Sequence, residues 1–318
     1  MTTIAPDRSD LFALVRCPRC RGELGSVATT LRCTACSVDY PLVDGVPVLI
    51  DEKSSVFKHA DFTRKGDTFF DKEPLLRRLI YGALPGLSTN RVAPSNYRRF
   101  AALLKETSPR PRVLILGGSI LGEGMQEFRA RTDIDFVDSD VAFGPLTKLV
   151  CDAHDLPFAD ASIDGVIAQA VLEHVADPYR VTSEIHRVLK PRGLVYAETP
   201  FLQPAHSTPY DFHRFTHVGY RRVFRAFDLI EMGPVGGPGQ ALGHQWENFL
   251  LSWFTARPMR AAMLIVARLS GFWCKYFDRL LNRRHQAMHG AFGLFALARR
   301  ADRVLTDGEV VEECRKYD

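Results

Sequence analysis

Four cysteines near the start of the chain, Cys17, Cys20, Cys33 and Cys36, form two C-x2-C pairs within "CPRCRGELGSVATTLRCTAC". Each pair can present two thiolates to one ion from a tight knuckle, and the gap between Cys20 and Cys33 leaves room for a short hairpin joining the knuckles. That is the layout of a tetrahedral zinc ribbon. A segment this small is too poor in core to fold alone, and a structural zinc site contributes about 10–16 kcal/mol of apparent binding energy to folding. With cysteine at all four positions no place is left for water or substrate, so the expected Zn2+ is structural. Two disulfides or four buried thiols are the competing readings, and a reducing compartment disfavours the first. The piece that follows, "VDYPLVDGVPVLI", alternates polar and apolar residues around Asp44-Gly45 and predicts a closing hairpin.

Residues 16–50, down to the "YP…DGVPVLI" ending, resemble the small zinc-ribbon activator subunits that partner methyltransferases acting on tRNA and translation factors. The rest of the chain reads differently. Its 318 residues can bury a sizeable core, and 46% hydrophobic with 25% charged residues is a globular composition. A formal charge of +4 permits an anionic partner such as RNA without requiring one. The opening "MTTIAPDRSD" has no apolar stretch, so a cytoplasmic protein with reduced thiols is expected. Residues 250–281 are unusually apolar, but Arg257, Arg260, Arg268, Lys275 and Arg279 interrupt them before a bilayer could be spanned.

Residues 51–67, "DEKSSVFKHADFTRKGD", read as a linker, and "EPLLRRLIYGAL" and "SNYRRFAALLKET" as helices. Next, "RPRVLILGGSILGEGMQEF" takes an apolar run, 113–116, into Gly117, Gly118, Gly122 and Gly124. A buried strand feeding a glycine-rich turn and a helix is the first unit of a nucleotide-binding α/β sheet, because glycine lets the backbone approach a cofactor where a Cβ would collide. The pattern is not a clean G-x-G-x-x-G, which weakens a dinucleotide reading, and a purely structural turn would use glycines too. "IDFVDSD" then predicts a strand ending in Asp138 and Asp140, where a carboxylate can accept bonds from ribose hydroxyls; the spacing does not choose between the two. The next fifty residues run strand, loop, strand, helix, strand. The helix is predicted over about 178–189, burying Val181, Ile185, Val188 and Leu189, and stopped by Lys190-Pro191-Arg192-Gly193.

The series "DAHDLPF", "SIDGVIAQAVLEHV" and "RVLKPRG" closely resembles class I S-adenosylmethionine-dependent methyltransferases of the type-11 group, over roughly residues 113–300. The resemblance implies a Rossmann-like seven-stranded sheet and S-adenosyl-L-methionine as methyl donor. It implies that Gly117 and Gly118 lie against the methionine and ribose portion, Asp140 or Asp138 takes the ribose hydroxyls, Asp152 and Ala153 the adenine edge, and Gln169 and Ala170 line the methyl-donor pocket. One departure stands out: where the family carries an acidic residue before its glycine turn, this chain has Ile115. The contact to the cofactor's amino group then falls to Glu123 or is lost.

Methyl transfer from a sulfonium is an in-line displacement, so holding donor and acceptor in line supplies much of the acceleration, and a base is needed only if the acceptor keeps its proton at neutral pH. The loop after "LVYAETP" packs His206, Tyr210, Asp211, His213, Arg214 and His217 together. His206 or His213 is the candidate base with Asp211 orienting it; Arg214 fixes an anionic substrate or pairs with Asp211; His174 is read as structural or pocket-edge. "FDLIEMGPVGGPG" is expected to be the sixth strand, and "GAFGLFALARR" the last, antiparallel at the sheet edge. Between them, residues 240–289 form a helical insertion rich in Trp246, Phe249, Trp253, Phe254, Phe272, Trp273 and Phe277. These aromatics are either the buried face of helices capping the sheet, or a surface that shapes an apolar acceptor pocket or lies on a membrane.

The domain organisation expected is a ribbon over 1–52, a linker with helices over 53–110, a methyltransferase domain over 111–302 and a tail over 303–318. The function expected is methyl transfer to a bulky or lipid- or glycan-linked acceptor. Two alternatives remain: an rRNA or tRNA base methyltransferase using the ribbon for recognition, and a non-catalytic ribbon scaffold with a degenerate cofactor site.

Overall fold

The computed structural model describes residues 8–27, 29–62, 82 and 84–317. The predicted helix "EPLLRRLIYGAL" and the basic string around Lys65 lie outside the described residues, apart from isolated positions of the former.

Eleven strands form one sheet: β1 (Leu24–Val27), β2 (Thr30–Cys33), β3 (Asp39–Val43), β4 (Val46–Leu49), β5 (Arg112–Leu116), β6 (Asp135–Asp140), β7 (Leu149–Cys151), β8 (Ile163–Gln169), β9 (Leu189–Pro200), β10 (Phe227–Gly236) and β11 (Gly293–Arg300). Their order is β1-β2-β3-β4-β7-β6-β5-β8-β9-β11-β10. Strands β7, β6, β5, β8 and β9 are parallel, and β11 is antiparallel to both of its neighbours. The seven strands β5–β11 make the expected α/β sheet. The order reverses at β5/β8, the topological switch point at which open α/β sheets hold ligands, beyond the carboxyl ends of the strands.

The near-continuous apolar runs of β5, β8 and β11 are buried on both faces, as strands covered by helices on each side must be. Helix α1 (Arg8–Leu14) precedes the ribbon, and α2 (Ala93–Lys105) covers one face with Tyr97, Phe100 and Leu104 packed against Val113, Ile167, Tyr196 and Phe295. After the short α3 (Gln126–Arg129), α4 (Pro178–Val188) covers the other face with Val181, Ile185 and Val188. Asp177 caps α4 by accepting the Arg180 N–H at 3.0 Å, and the chain turns extended at Leu189, which is buried as the first residue of β9. Helix α5 (His217–Val223) follows the histidine-rich loop.

Three findings differ from the sequence expectations or extend them. The last strand, β11, is not at the sheet edge: it lies between β9 and β10, and its central residues are too completely apolar to face solvent on one side. The ribbon is not a separate bead. Its closing hairpin turns at Asp44 and Gly45, both with positive φ, and β4 then pairs in parallel with β7, so the ribbon extends the main sheet. Val15, Leu31, Tyr40 and Leu49 from the ribbon share one core with Leu156, Phe158 and Val181. Arg21 pairs with Glu184 across the junction, and Arg19 with Asp51 at the ribbon's own end.

The third concerns the insertion. Helices α6 (Pro238–Ser252) and α7 (Arg257–Gly271) approach each other through small residues, Gly243 against Gly271, with Leu264, Ala267 and Gly271 inward. The aromatics are left outside: Trp253 is 71% exposed, Trp246, Phe249, Trp273 and Phe277 are exposed, and Phe254 and Phe272 half-buried. The reading of these rings as a buried capping face is therefore corrected. No described helix is long and apolar enough to cross a membrane.

Candidate functional site

The two cysteine pairs sit on mirrored knuckles, each closed by a backbone bond to the residue after the second cysteine: Arg21 N–H to Cys17 O at 2.7 Å and Ser37 N–H to Cys33 O at 3.0 Å. Arg21 and Ser37 both adopt positive φ, which turns the chain back so that the four sulfurs converge. Sγ atoms lie 3.6 Å apart for Cys17 and Cys36 and 3.4 Å for Cys20 and Cys33, and all four within 4.8 Å of one another. Tetrahedral thiolates at 2.3 Å from a zinc ion stand about 3.8 Å apart, so the donor set fits Zn2+ and these spacings are too long for disulfides. Tyr40 Oη lies 3.1 Å from Cys17 Sγ, tying the site to the core.

At the switch point, β5 ends in Gly117, whose φ of 69° is left-handed and where a Cβ would lie 2.9 Å from Val171. The turn is pinned from the neighbouring strand: Gly118 N–H donates to Ser139 O at 2.9 Å and Ser119 N–H to Asp140 Oδ2 at 3.0 Å. Asp140 also accepts the Ala142 N–H, so its carboxylate holds the turn itself, while burial pushes its pKa up. Asp138, 1% exposed, is faced by Arg129, Nη2 to Oδ2 at 3.2 Å, and by Lys148 at 3.5 Å; burial raises its pKa against both cations. Arg129 Nη1 is 3.1 Å from Asp138 Oδ1, yet it is buried without an aligned acceptor among the described residues. A spare donor beside a buried carboxylate is a corner fit for a vicinal diol, which both accepts and donates.

Asp152 ends β7 and caps the short turn Ala153–Asp155. Its Oδ1 accepts from His154 N–H and lies 2.6 Å from His154 Nδ1, and its Oδ2 accepts from Ser55 Oγ at 2.5 Å. Burial alone would raise its pKa; His154 and Ser55 hold it below the usual carboxylate range. Ser54 Oγ donates to Asp155 in the same way, so residues 51–62 form a strap across this edge rather than a free linker. Ala153 is buried beside it.

Gln169 and Ala170 end β8, Ala170 at a φ of 55°. The Gln169 amide is drawn across the glycine turn: Nε2 donates to Glu123 O and Glu198 Oε2, and Oε1 accepts from Tyr97 Oη. A Cβ on Gly122 would meet Gln169 Oε1 at 2.0 Å. The glycine turn and Asp138 thus suit the nucleoside portion of the expected cofactor, with Asp140 taken up by the turn and Asp152 by Ser55 and His154, while the methionine portion requires the Gln169 side chain to turn aside. Ile115 is a core residue, and Glu123 Oε1 accepts the Asn90 N–H.

The loop after β9 is braced by Arg214, which bonds both Asp211 oxygens and the carbonyls of Gln203, Pro204 and His213. Burial opposes ionisation of Asp211, but Arg214 and the His206 N–H, 2.7 Å from Oδ2, hold its pKa down. Burial and the neighbouring His174 lower the pKa of His206. Its ring centroid lies 5.0 Å from that of His174, and both face Glu173. Glu173 is 1% exposed and burial pushes its carboxyl up to about 8. His213 does not join this group: it stacks on Phe215, and its Nε2 lies 3.3 Å from Ala176 O. The structure therefore brings His206 and Asp211 together with Glu173 and His174 and leaves His213 outside that group. It adds Glu173, Arg129 and Ser55, which sequence reading missed. Glu173 sits in the quoted "LEHV", so a buried acid next to a histidine was the available signal; Ser55 carried none.

The family described as "Methyltransferase domain" matches residues 125–197, which run from the end of the glycine turn through β9. A Streptomyces fradiae protein described as an uncharacterized 37.1 kDa protein in transposon TN4556 is 33% identical over 118 residues, 37% of this chain and 31% of that protein. The ubiquinone/menaquinone biosynthesis C-methyltransferase UbiE of Desulfotalea psychrophila is 33% identical over 117 residues, 36% of this chain and 42% of the relative. The chain thus spans less than half the length of these curated relatives. Among solved structures, geranyl diphosphate C-methyltransferase from Streptomyces coelicolor superposes with a TM-score of 0.40 at 14% identity, covering 65% of this chain and 76% of that one. The fold assignment rests on the strand order instead. Motif series, matched segment and strand order agree: the α/β unit of this chain resembles class I S-adenosylmethionine-dependent methyltransferase domains, and the family match itself covers residues 125–197.

Proposed function

We propose that the protein transfers a methyl group from S-adenosyl-L-methionine to an acceptor with an apolar, lipid-like body, with the zinc ribbon as a structural wing of the catalytic domain. The observation that carries the reading is the convergence, at the β5/β8 switch point, of a left-handed glycine turn with buried carboxylates at the ends of β6 and β7. The donor, when bound, supplies a sulfonium methyl group open to in-line attack. Asp138 takes the ribose hydroxyls with Arg129 beside it, Asp140 holds the turn, and Asp152 with Ala153 meets the adenine edge once Ser55 yields its bond. Gln169 turns from Glu198 to line the methyl pocket with Ala170. The acceptor is placed beside the polar corner of Glu173, His174 and His206, which Asp211 and Arg214 keep in place. A methyl-transfer screen with labelled donor, across lipid, glycan, small-molecule, RNA and protein pools, tests the assignment. Label in the apolar pool is expected, and label confined to RNA would replace this acceptor with the nucleic-acid one.

The acceptor class rests on the insertion. Residues 238–290 carry seven Lys or Arg against two acids, Glu247 and Asp278. Both acids are consumed internally, Glu247 by Arg268 and Asp278 by the N–H groups of Gly237, Gly239 and Gln240. Exposed aromatics among Arg257, Arg260, Arg279, Arg283 and Arg284 suit the interface of an anionic bilayer. Sedimentation with anionic vesicles is expected to recover the protein. The double variant Trp253→Ser/Trp273→Ser is expected to weaken that binding at least about tenfold, each ring contributing on the order of 1.5–3 kcal/mol when buried in lipid. Equal recovery with and without the two rings would remove the membrane from the account.

A further inference from the structure

We propose that Glu173, His174 and His206 hold a divalent transition cation at the acceptor end of the crevice. The inference rests on the methyltransferase reading and adds to it a metal site separate from the ribbon's. Glu173 and His174 come from the turn after β8, His206 from the loop after β9, and their ligating atoms lie within 4.8 Å of one another. Nitrogen and oxygen ligands about 2.1 Å from a tetrahedral ion stand about 3.4 Å apart. Glu173 Oε1 and His174 Nε2 are already at 3.9 Å, so modest rotation of half-buried rings closes the set.

Two independent features point to a cation. The first is the poverty of partners around Glu173. It is 1% exposed, no Lys or Arg nitrogen lies within 4.0 Å of it among the described residues, so Arg214 acts on it from farther away, and besides its own backbone N–H its carboxyl meets Thr199 Oγ1 at 3.5 Å. A carboxyl taken out of water with so little in exchange keeps its proton unless a positive charge reaches it. The second is the bonding of the rings. His174 Nδ1 lies 2.6 Å from the carbonyl of Tyr210; a carbonyl only accepts, so Nδ1 carries the proton and Nε2 presents its lone pair toward Glu173. Around His206 Nδ1, Pro204 O at 3.4 Å and Asp211 Oδ2 at 3.8 Å favour a proton there, against the donor-only Arg214 Nη2 at 3.3 Å; with that proton in place Nε2 is the ligating nitrogen. Ligand rings whose other nitrogen is anchored to a carbonyl or carboxylate are the usual support of a metal centre.

Two imidazoles and one carboxylate suit Zn2+, Fe2+, Mn2+ or Co2+ rather than Ca2+ or Mg2+, and three protein ligands leave a coordination position open. The four-thiolate ribbon site leaves none. The open position assigns an oxygen acceptor. A hydroxyl bound there gives up its proton to water more readily; its oxygen pair forms the new C–O bond as the S–CH3 bond breaks, and the sulfur keeps that bond's pair as a neutral thioether.

The test uses full-length protein whose ribbon is loaded with zinc, titrated with Co2+ and followed by visible absorption and calorimetry. One further equivalent is expected, with a spectrum of nitrogen and oxygen ligands and no thiolate charge-transfer band. His206→Ala and His174→Ala, each checked for an unchanged melting transition and ribbon zinc, are expected to weaken that equivalent at least about tenfold. Glu173→Gln, which keeps the side-chain volume, is expected to do the same. Absence of a further equivalent, or one that both histidine variants retain, overturns the site. Calorimetry of S-adenosyl-L-methionine on the same sample reads the methyltransferase assignment separately, so retained donor binding without Co2+ binding removes only the ion.

Discussion

Cys33→Ser protein is expected to lose its zinc and with it the whole ribbon. The metal's apparent contribution, about 10–16 kcal/mol, equals or exceeds the roughly 5–15 kcal/mol by which an entire domain is normally stable, so no other interaction in the wing can compensate. The damage should not stop there. Tyr40, Val48, Leu49 and Ile50 are buried in cores shared with the α/β unit, and β4 is the neighbour that covers the β7 edge. Unfolding the ribbon opens that edge to intermolecular pairing, and the 51–62 strap loses its anchor at Asp51 and Arg19. Zinc content, limited proteolysis and the melting temperature check this together. A zinc-free variant that resists protease at residues 17–50 and melts with the parent would show that the ribbon does not depend on metal.

Asp138→Asn is expected to act on stability and on donor binding at once. With Asp138 1% exposed, removing its charge leaves Arg129 and Lys148 without their counter-ion, a loss of about 3 kcal/mol at the lower end of the range for broken buried pairs, since Lys148 is partly solvated. The ribose contact proposed for Asp138, a hydrogen bond to a charged group, would be worth about 1.5–3 kcal/mol, or roughly ten- to a hundredfold in donor affinity. Urea unfolding and donor calorimetry read the two effects separately. Asp140→Asn is expected to disturb the turn through Ser119 and Ala142 instead. If Asp138→Asn binds donor as tightly as the parent, Asp138 is a structural counter-ion only.

The sheet was legible in the sequence because each of its signals is local. An apolar run ending in Gly117 and Gly118, a strand ending in paired aspartates, and Asp177-Pro178 opening an amphipathic helix each follow from steric or hydrogen-bonding rules acting over a few residues. The cysteine knuckles were legible for the same reason. What escaped depends on contacts remote in sequence. Nothing within residues 46–49 says that they will pair with 149–151, and nothing in Ser55 says that its hydroxyl will meet Asp152. The aromatic insertion shows a different limit: periodicity reveals that a helix has an apolar face but not that its partner helix approaches through Gly243, Gly271 and Ala267 and leaves the rings outside. Of the candidate bases, His206 and His213 were equivalent as text. Only the Arg214 brace, which turns His206 toward Glu173 and leaves His213 on Phe215, separates them.

The central claim is that the crevice beyond β5 and β8 binds a sulfonium nucleoside, and isothermal titration of folded, zinc-loaded protein with S-adenosyl-L-methionine tests it most directly. The account predicts saturable binding at one site per chain, weakened by Asp138→Asn. A zinc-replete, folded sample that releases no heat and shows no donor-dependent shift in melting would contradict it, and would leave Gln169 and Ser55 as permanent occupants of that space.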